Sequence, residues 1–296
     1  MSDEIWEKVL WKPQSYPDNY IPEKYFLASL RKNPNFRPYT YWPLVLASCA
    51  ITQHLASIYT FLGVFVFVKE QSLDPRLLVW ITVGCFLGGY ISWEWLEYRG
   101  DKNNLANRIL TGAQTLKSSI LVFLALLALS PVLKTLSAAT SSDSIWALSA
   151  FLFVLNALLA DYSPGTTTGQ PRDRLTSVLS MNAAMSSSVV LASRLSEDLA
   201  VFALMLFSVQ VFALFPMLRQ RLQVRLNTAI ILQVLMTLFL SCICLCLAGQ
   251  KSTSAYTLSA ATLFFVTFIA PAILVWAQRY KNEIRGPWDV AVPKIN

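Results

Sequence analysis

LTSVLSMNAAMSSSVVLASRL, residues 175–195, is long enough to cross a bilayer yet poor in oil. Ten of its 21 residues are Ser, Ala or Thr; Asn182 lies near the middle and Arg194 at one end. Against lipid, such a helix leaves hydroxyls and an amide without partners. Among other helices, its small side chains permit close backbone approach and its hydroxyls find acceptors. The stretch is therefore expected to be a buried central helix with greasier helices round it.

The rest of the 296-residue chain supplies those helices. It is 55% hydrophobic and only 14% charged, with a mean hydropathy of +0.48, too apolar for an ordinary soluble domain. A hydrocarbon core of ~30 Å needs ~20 apolar residues per helix, and several runs meet that length. The alternating short segments of a β-barrel are absent. The fold class expected is all-α, a polytopic transmembrane helical bundle. Its eight spans are placed at about Pro43–Val68, Leu77–Tyr98, Ser118–Ala139, Ser144–Ala160, Leu175–Arg194, Leu199–Leu218, Asn227–Gly249 and Thr257–Ala277.

Charge sets the orientation. Nineteen of the 24 Lys and Arg fall in segments on one side, against Lys69, Arg76, Arg194 and Lys251 on the other, with Lys134 inside the third span. The positive-inside bias places both termini in the cytosol. Residues 1–42 form a cytosolic arm, 43–277 the membrane domain and 278–296 a cytosolic tail. In the arm, Ile5, Trp6, Val9 and Leu10 share a helical face suited to the headgroup layer, and Pro22 is placed to start a second short helix. The arm carries no signal-peptide core, so the first span is expected to drive insertion. The polar GPWDVAVPKIN ending excludes a lipid-anchor attachment tail. The basic residues are divided among short loops, which argues against nucleic-acid binding.

Little in the chain suggests catalysis. One histidine, His54, excludes a histidine-based metal cluster. No nucleotide-binding or hydrolase motif occurs, and no D-x-D pair that would hold a metal–nucleotide complex. The loops are too short for a nucleotide-binding domain of ~100 residues. Cys242, Cys244 and Cys246 read C-x-C-x-C, but on a helix the middle one points away from the others; they are expected to pack as small apolar residues. No catalytic residue, metal site or cofactor is assigned.

Intramembrane polar groups are the remaining candidates. Gln53, His54, Asn156, Asn182 and Gln210 are expected to be buried interhelical links. At the cytosolic face, Arg31, Lys32, Arg37, Glu94, Glu97, Asp161, Arg219 and Arg221 are candidates for lipid-headgroup or partner binding.

Several phrases, taken in order, carry a resemblance: WEKVLW…YPDNYIPEKYFLASLRKN within 6–33, SPVLKTLSAATSSDSIWALSAF at 130–151, LADYS at 159–163, LSMNAAMSSSVVLASRL at 179–195, FALFPMLRQRL at 212–222 and KNEIRGPWDVA at 281–291. The chain resembles the PIG-C family, membrane subunits of phosphatidylinositol N-acetylglucosaminyltransferase. The resemblance implies a membrane subunit of the complex that transfers N-acetylglucosamine from UDP-GlcNAc to phosphatidylinositol, the first step of GPI-anchor synthesis, at the endoplasmic reticulum. It implies that catalysis belongs to another subunit. The role expected here is to dock that subunit and position the lipid acceptor. A lipid or solute transporter is the alternative from another class, and a self-sufficient membrane enzyme using Glu94, Glu97 or Asp161 is a third.

Overall fold

The computed structural model describes residues 13, 15, 17, 20, 31–32, 36–100, 105–135, 140–162, 171–225, 229–281 and 284–285. The expected surface helices at Glu4–Lys12 and after Pro22 lie outside them. The helices are α1 Tyr41–Lys69, α2 Pro75–Gly100, α3 Leu105–Thr135, α4 Ser142–Leu159, α5 Pro171–Ala192, α6 Asp198–Val209, α7 Phe215–Arg225, α8 Ala229–Lys251, α9 Thr253–Phe264 and α10 Ala270–Ala277. Wider π-helical turns at Gln210–Leu214 and Phe265–Ile269 join α6 to α7 and α9 to α10. Among the described residues, the β structure is Arg31–Lys32 paired antiparallel with Ile284–Arg285.

Seven helical stretches among the described residues are long and apolar enough to cross a membrane. The region expected to hold an eighth is helical, but its described apolar part, Val178–Ala192, is shorter than the other seven. Large apolar side chains point outward all round this set: Trp80, Leu158 and Leu258 are 73%, 74% and 69% exposed. Such a surface belongs in hydrocarbon rather than in water.

Three of the spans contain internal prolines that the backbone accommodates. Pro131 has no N–H to give the Leu127 carbonyl, and the Ser130 hydroxyl donates to that oxygen instead, at 3.0 Å. The helix runs on to Thr135, so Pro131 does not interrupt it. Ahead of Pro216 and Pro271 the helix widens by one π turn, a common answer where the regular ladder is broken.

The chain divides into two compact units, residues 42–271 and residues 1–41 with 272–296. In the larger one, the central position falls to α1, with Cys49, Ala50, Thr52, Gln53, Ala56, Phe61 and Phe65 among its buried residues. This corrects the expectation for Leu175–Leu195. In α5, Ser180, Ala184, Ser187, Ser188 and Leu191 are buried, whereas Val178, Leu179, Asn182 and Ser186 are exposed. Its small residues serve one face. Ser187 donates to the Ser149 carbonyl at 3.0 Å, and α4 and α5 approach more closely along their length than any other helix pair. Small side chains bring two backbones together; they do not require a third helix on the far side. Around α1 the spacing is wider because Phe61 lies among Phe153, Phe207 and Phe212, with ring centroids 5.8, 6.2 and 5.3 Å away.

One end of this unit gathers the cations of the basic-poor side. Lys134 pairs with Asp198 at 3.1 Å, Lys251 with Glu70, and Arg194 donates to the Thr140 carbonyl. Lys69 sits over the Trp146 ring, 5.1 Å from its centroid. The hairpin ends that the spans require therefore converge.

The smaller unit ties segments at opposite ends of the chain. Tyr39 N–H donates to Gln278 Oε1 at 2.8 Å, and Gln278 Nε2 donates to the Tyr39 carbonyl at 3.0 Å. Phe36 packs edge-on against Tyr39 and lies under the Lys281 ammonium, 5.0 Å away. Gln278→Leu removes both bonds at an exposed site, so global stability should change little. Amide exchange at Tyr39 should rise about fivefold, as expected from losing an N–H partner worth ~1 kcal/mol. Unchanged exchange at Tyr39 would show that the clasp is not formed.

Candidate functional site

The polar side chains of the larger unit meet where α1, α4, α5, α7 and α8 converge. His54 Nε2 lies 2.7 Å from Asn156 Oδ1. Asn156 Nδ2 donates to both the carbonyl and the hydroxyl of Ser180, each at 2.9 Å, and the Ser180 hydroxyl donates back to the Asn156 carbonyl at 2.8 Å. Because the Asn156 amide nitrogen is committed to Ser180, Oδ1 is the acceptor and His54 Nε2 carries the proton. The network ties α1, α4 and α5 in a place where an unmatched polar atom would be costly.

Just beyond α4, the Tyr162 ring stands edge-on to His54, centroids 5.8 Å apart, and its hydroxyl donates to the Ala157 carbonyl at 2.7 Å. Burial pushes the Tyr162 phenol up to about 12, while the Arg219 charge pulls the other way. The folded state thus holds this proton more tightly than the unfolded chain, whose tyrosines release it near 10. The resulting stabilisation is whole below about pH 10 and is lost as pH rises from there to about 12. The thermal midpoint of Tyr162→Phe should accordingly fall less over that window than that of the unaltered protein. Parallel curves would mean that Tyr162 is not buried.

Arg219, on α7, reaches α1, where Nη1 donates to the Ala50 carbonyl at 3.2 Å. Asp161 and Tyr162 are its electrostatic neighbours. Its Nε is buried with no hydrogen-bond partner, and so is Gln53 Oε1. The Gln53 amide cannot simply be turned round. Nε2 donates to the Gln233 carbonyl and to the Thr237 hydroxyl, both at 2.9 Å, and the Thr237 hydroxyl donates to that same carbonyl at 2.7 Å. Two acceptors hold the amide nitrogen, leaving the oxygen on the other side. Gln233 in turn donates to the Leu46 carbonyl at 2.7 Å. Gln53, Gln233 and Arg219 line one narrow cleft of about 30 Å³ with Phe215, Leu218 and Leu222. Each unmatched buried polar atom costs ~1–3 kcal/mol.

The structure thus brings Gln53, His54, Asn156, Asp161 and Arg219 together. It places the other candidates elsewhere. Asn182 is exposed rather than buried, because it falls on the face of α5 turned away from α4. Gln210 is half-buried at the start of the π turn. Glu94 accepts from the Tyr90 hydroxyl at 3.1 Å on α2, and Arg37 is exposed in the smaller unit. Arg31 and Lys32 lie in the short strand; their side chains and those of Glu97 and Arg221 lie outside the described residues. The sequence reading left out Ser180 and Thr237, each one hydroxyl among many. Among the described residues, no cluster of three or more His, Cys, Asp or Glu could hold a metal ion. Cys244 is buried while Cys242 and Cys246 are exposed, the opposite faces expected of a helix.

Comparison with known proteins takes in almost the whole chain. Residues 6–289 match the GPI2 family, described as phosphatidylinositol N-acetylglucosaminyltransferase. The GPI2 subunit of that transferase from Schizosaccharomyces pombe is 39% identical over 290 residues, covering 98% of this chain and 87% of the relative. The corresponding human subunit of the transferase is 33% identical over 288 residues, covering 97% and 92%. The GPI2 subunit of Saccharomyces cerevisiae is 26% identical over the full length of both chains. No solved structure matches. With the match running from the first tryptophan of the arm to the KNEIRGPWDVA ending, the chain belongs to the GPI2 family of phosphatidylinositol N-acetylglucosaminyltransferase.

Proposed function

We propose that the chain is a non-catalytic membrane subunit of a complex that transfers N-acetylglucosamine from UDP-GlcNAc to phosphatidylinositol, and that it holds the lipid acceptor while another chain carries the sugar chemistry. The observation that carries this reading is the family match across residues 6–289. The comparisons lend no support to the transporter alternative. The bundle is read as eight spans in the endoplasmic reticulum membrane, with both termini cytosolic. The scarcity of Lys and Arg on the side that carries Lys69, Arg76, Arg194 and Lys251 supports that polarity. Partners are the catalytic and accessory subunits, which the arm, tail and cytosolic loops would dock.

Holding the acceptor is a sufficient role in energetic terms. Orienting reactants can remove ~7 kcal/mol or more from a barrier without any covalent participation. Affinity purification in mild detergent, with partners identified and transfer assayed, tests the reading. The chain should emerge with other polypeptides and with activity that it lacks alone. Transfer by this chain alone, or full activity of a complex depleted of it, would overturn the proposal.

A further inference from the structure

We propose that the outward face of α5 around Asn182 is the docking surface for a transmembrane helix of another polypeptide, one that presents a hydroxyl or amide side chain to the Asn182 amide. The inference rests on the reading of this chain as one subunit of a complex, and it names a surface that meets a partner inside the membrane.

Asn182 is exposed, whereas Ser180, Ala184, Ser187 and Ser188 of the same helix are buried. Hydrogen bonds fix its depth. Asn156 Oδ1 accepts from His54, the fourteenth of the 29 residues of α1, and Asn156 Nδ2 donates to Ser180. Asn182 lies two residues beyond Ser180, a rise of ~3 Å along the helix. It therefore stands level with the middle of α1, where water and head groups are about half of the ~30 Å hydrocarbon thickness away. Its surroundings are those of a lipid-facing surface: Val178 and Leu179 of α5 and Val154 and Leu158 of α4 are all exposed.

An amide donates through Nδ2 and accepts through Oδ1. Among the described residues, none forms a hydrogen bond with the Asn182 side chain. Left against hydrocarbon, that group is costly. At this depth a helix is the structure that brings a matching polar side chain with its own backbone satisfied.

The form of the face suits such a partner. Val178, Asn182 and Ser186 recur at four-residue spacing and share one side of α5. Ser186, one turn from Asn182, is small and exposed, so no bulk there holds a second backbone away. The buried side of α5 shows what that allows: Ser187 donates to the Ser149 carbonyl of α4 at 3.0 Å. The partner helix is expected to carry Ser, Thr, Asn or Gln level with Asn182, among apolar residues.

The test uses the purified complex containing this chain, held in nanodiscs. A photoreactive amino acid in place of Ser186 should cross-link to a membrane-spanning segment of another polypeptide of the complex. Cross-links to lipid alone, or to a second copy of this chain alone, would overturn the inference. Asn182→Leu removes the amide, and the dissociation constant for the other polypeptides should rise about threefold, the equivalent of one average interhelical hydrogen bond in a membrane. Ser186→Phe adds bulk to the same face and should weaken association at least as much. The thermal midpoint of the unbound Asn182→Leu chain should not fall, because the amide has no bond within the chain to lose. A fall would show that Asn182 is bonded internally and would count against the docking role. Unchanged association in both variants sinks this face but leaves the subunit role standing. A chain that purifies with no other polypeptide in mild detergent removes the subunit role itself.

Discussion

Phe61→Ala should destabilise the protein by about 3 kcal/mol, the low end of the ~3–5 kcal/mol typical of buried Phe-to-Ala changes. Phe61 is fully buried, with three phenylalanine rings around it and a fourth contact between Phe153 and Phe212 at 5.7 Å. These residues come from α1, α4, α6 and the π turn that follows it, so one side chain pins four pieces of the bundle. The low end is expected because lipid tails are as apolar as the core, which weakens the transfer contribution. The loss of dispersion contacts around an empty cavity remains. Leu158→Ala is the control: that side chain is 74% exposed, and its loss should cost less than ~0.5 kcal/mol. Denaturant titration in micelles compares the two, and equal costs would show that the aromatic cluster is not packed.

Asn156→Leu should cost about 2–4 kcal/mol. The replacement keeps the volume but strands the His54 Nε2 proton and both Ser180 acceptors. Interhelical hydrogen bonds in membranes average only ~0.6 kcal/mol and reach ~1.7, so three of them account for the lower part of the range. The rest is the penalty for leaving buried groups unmatched. A cycle with Ser180→Ala isolates the shared portion, which should be about 1 kcal/mol of coupling. Effects that add to within ~0.3 kcal/mol would mean that the two side chains act independently. Retained activity at low temperature in Asn156→Leu would fit a network that supports the site rather than meeting the lipid.

The two changes probe different devices. Around Phe61, bulky rings hold helices at a distance. Between α4 and α5, Ser149, Ser187, Asn156 and Ser180 draw backbones together. The polar cluster borders the cleft through α1, where His54 and Gln53 are neighbours in sequence but face different partners. One helix thus carries both sets of polar contacts.

The helical class and the basic asymmetry were legible in residue types alone, because apolar length and the placement of Lys and Arg are properties of a linear chain. Even the facing of Cys244 away from Cys242 and Cys246 follows from helical periodicity. Which helix lies at the centre was not legible. The hydroxyl-rich stretch 175–195 looked more interior than α1, yet Asn182 and Ser186 are exposed while Gln53 and Phe61 are enclosed. Composition reports how closely a helix can be approached, not from how many sides. The cleft was equally hidden, since Gln53, Arg219 and Gln233 stand far apart in the chain. Their significance lies in two atoms left without partners, and a hydrogen bond that is not made leaves no mark on sequence. Only folding commits some polar atoms to one another and strands the rest.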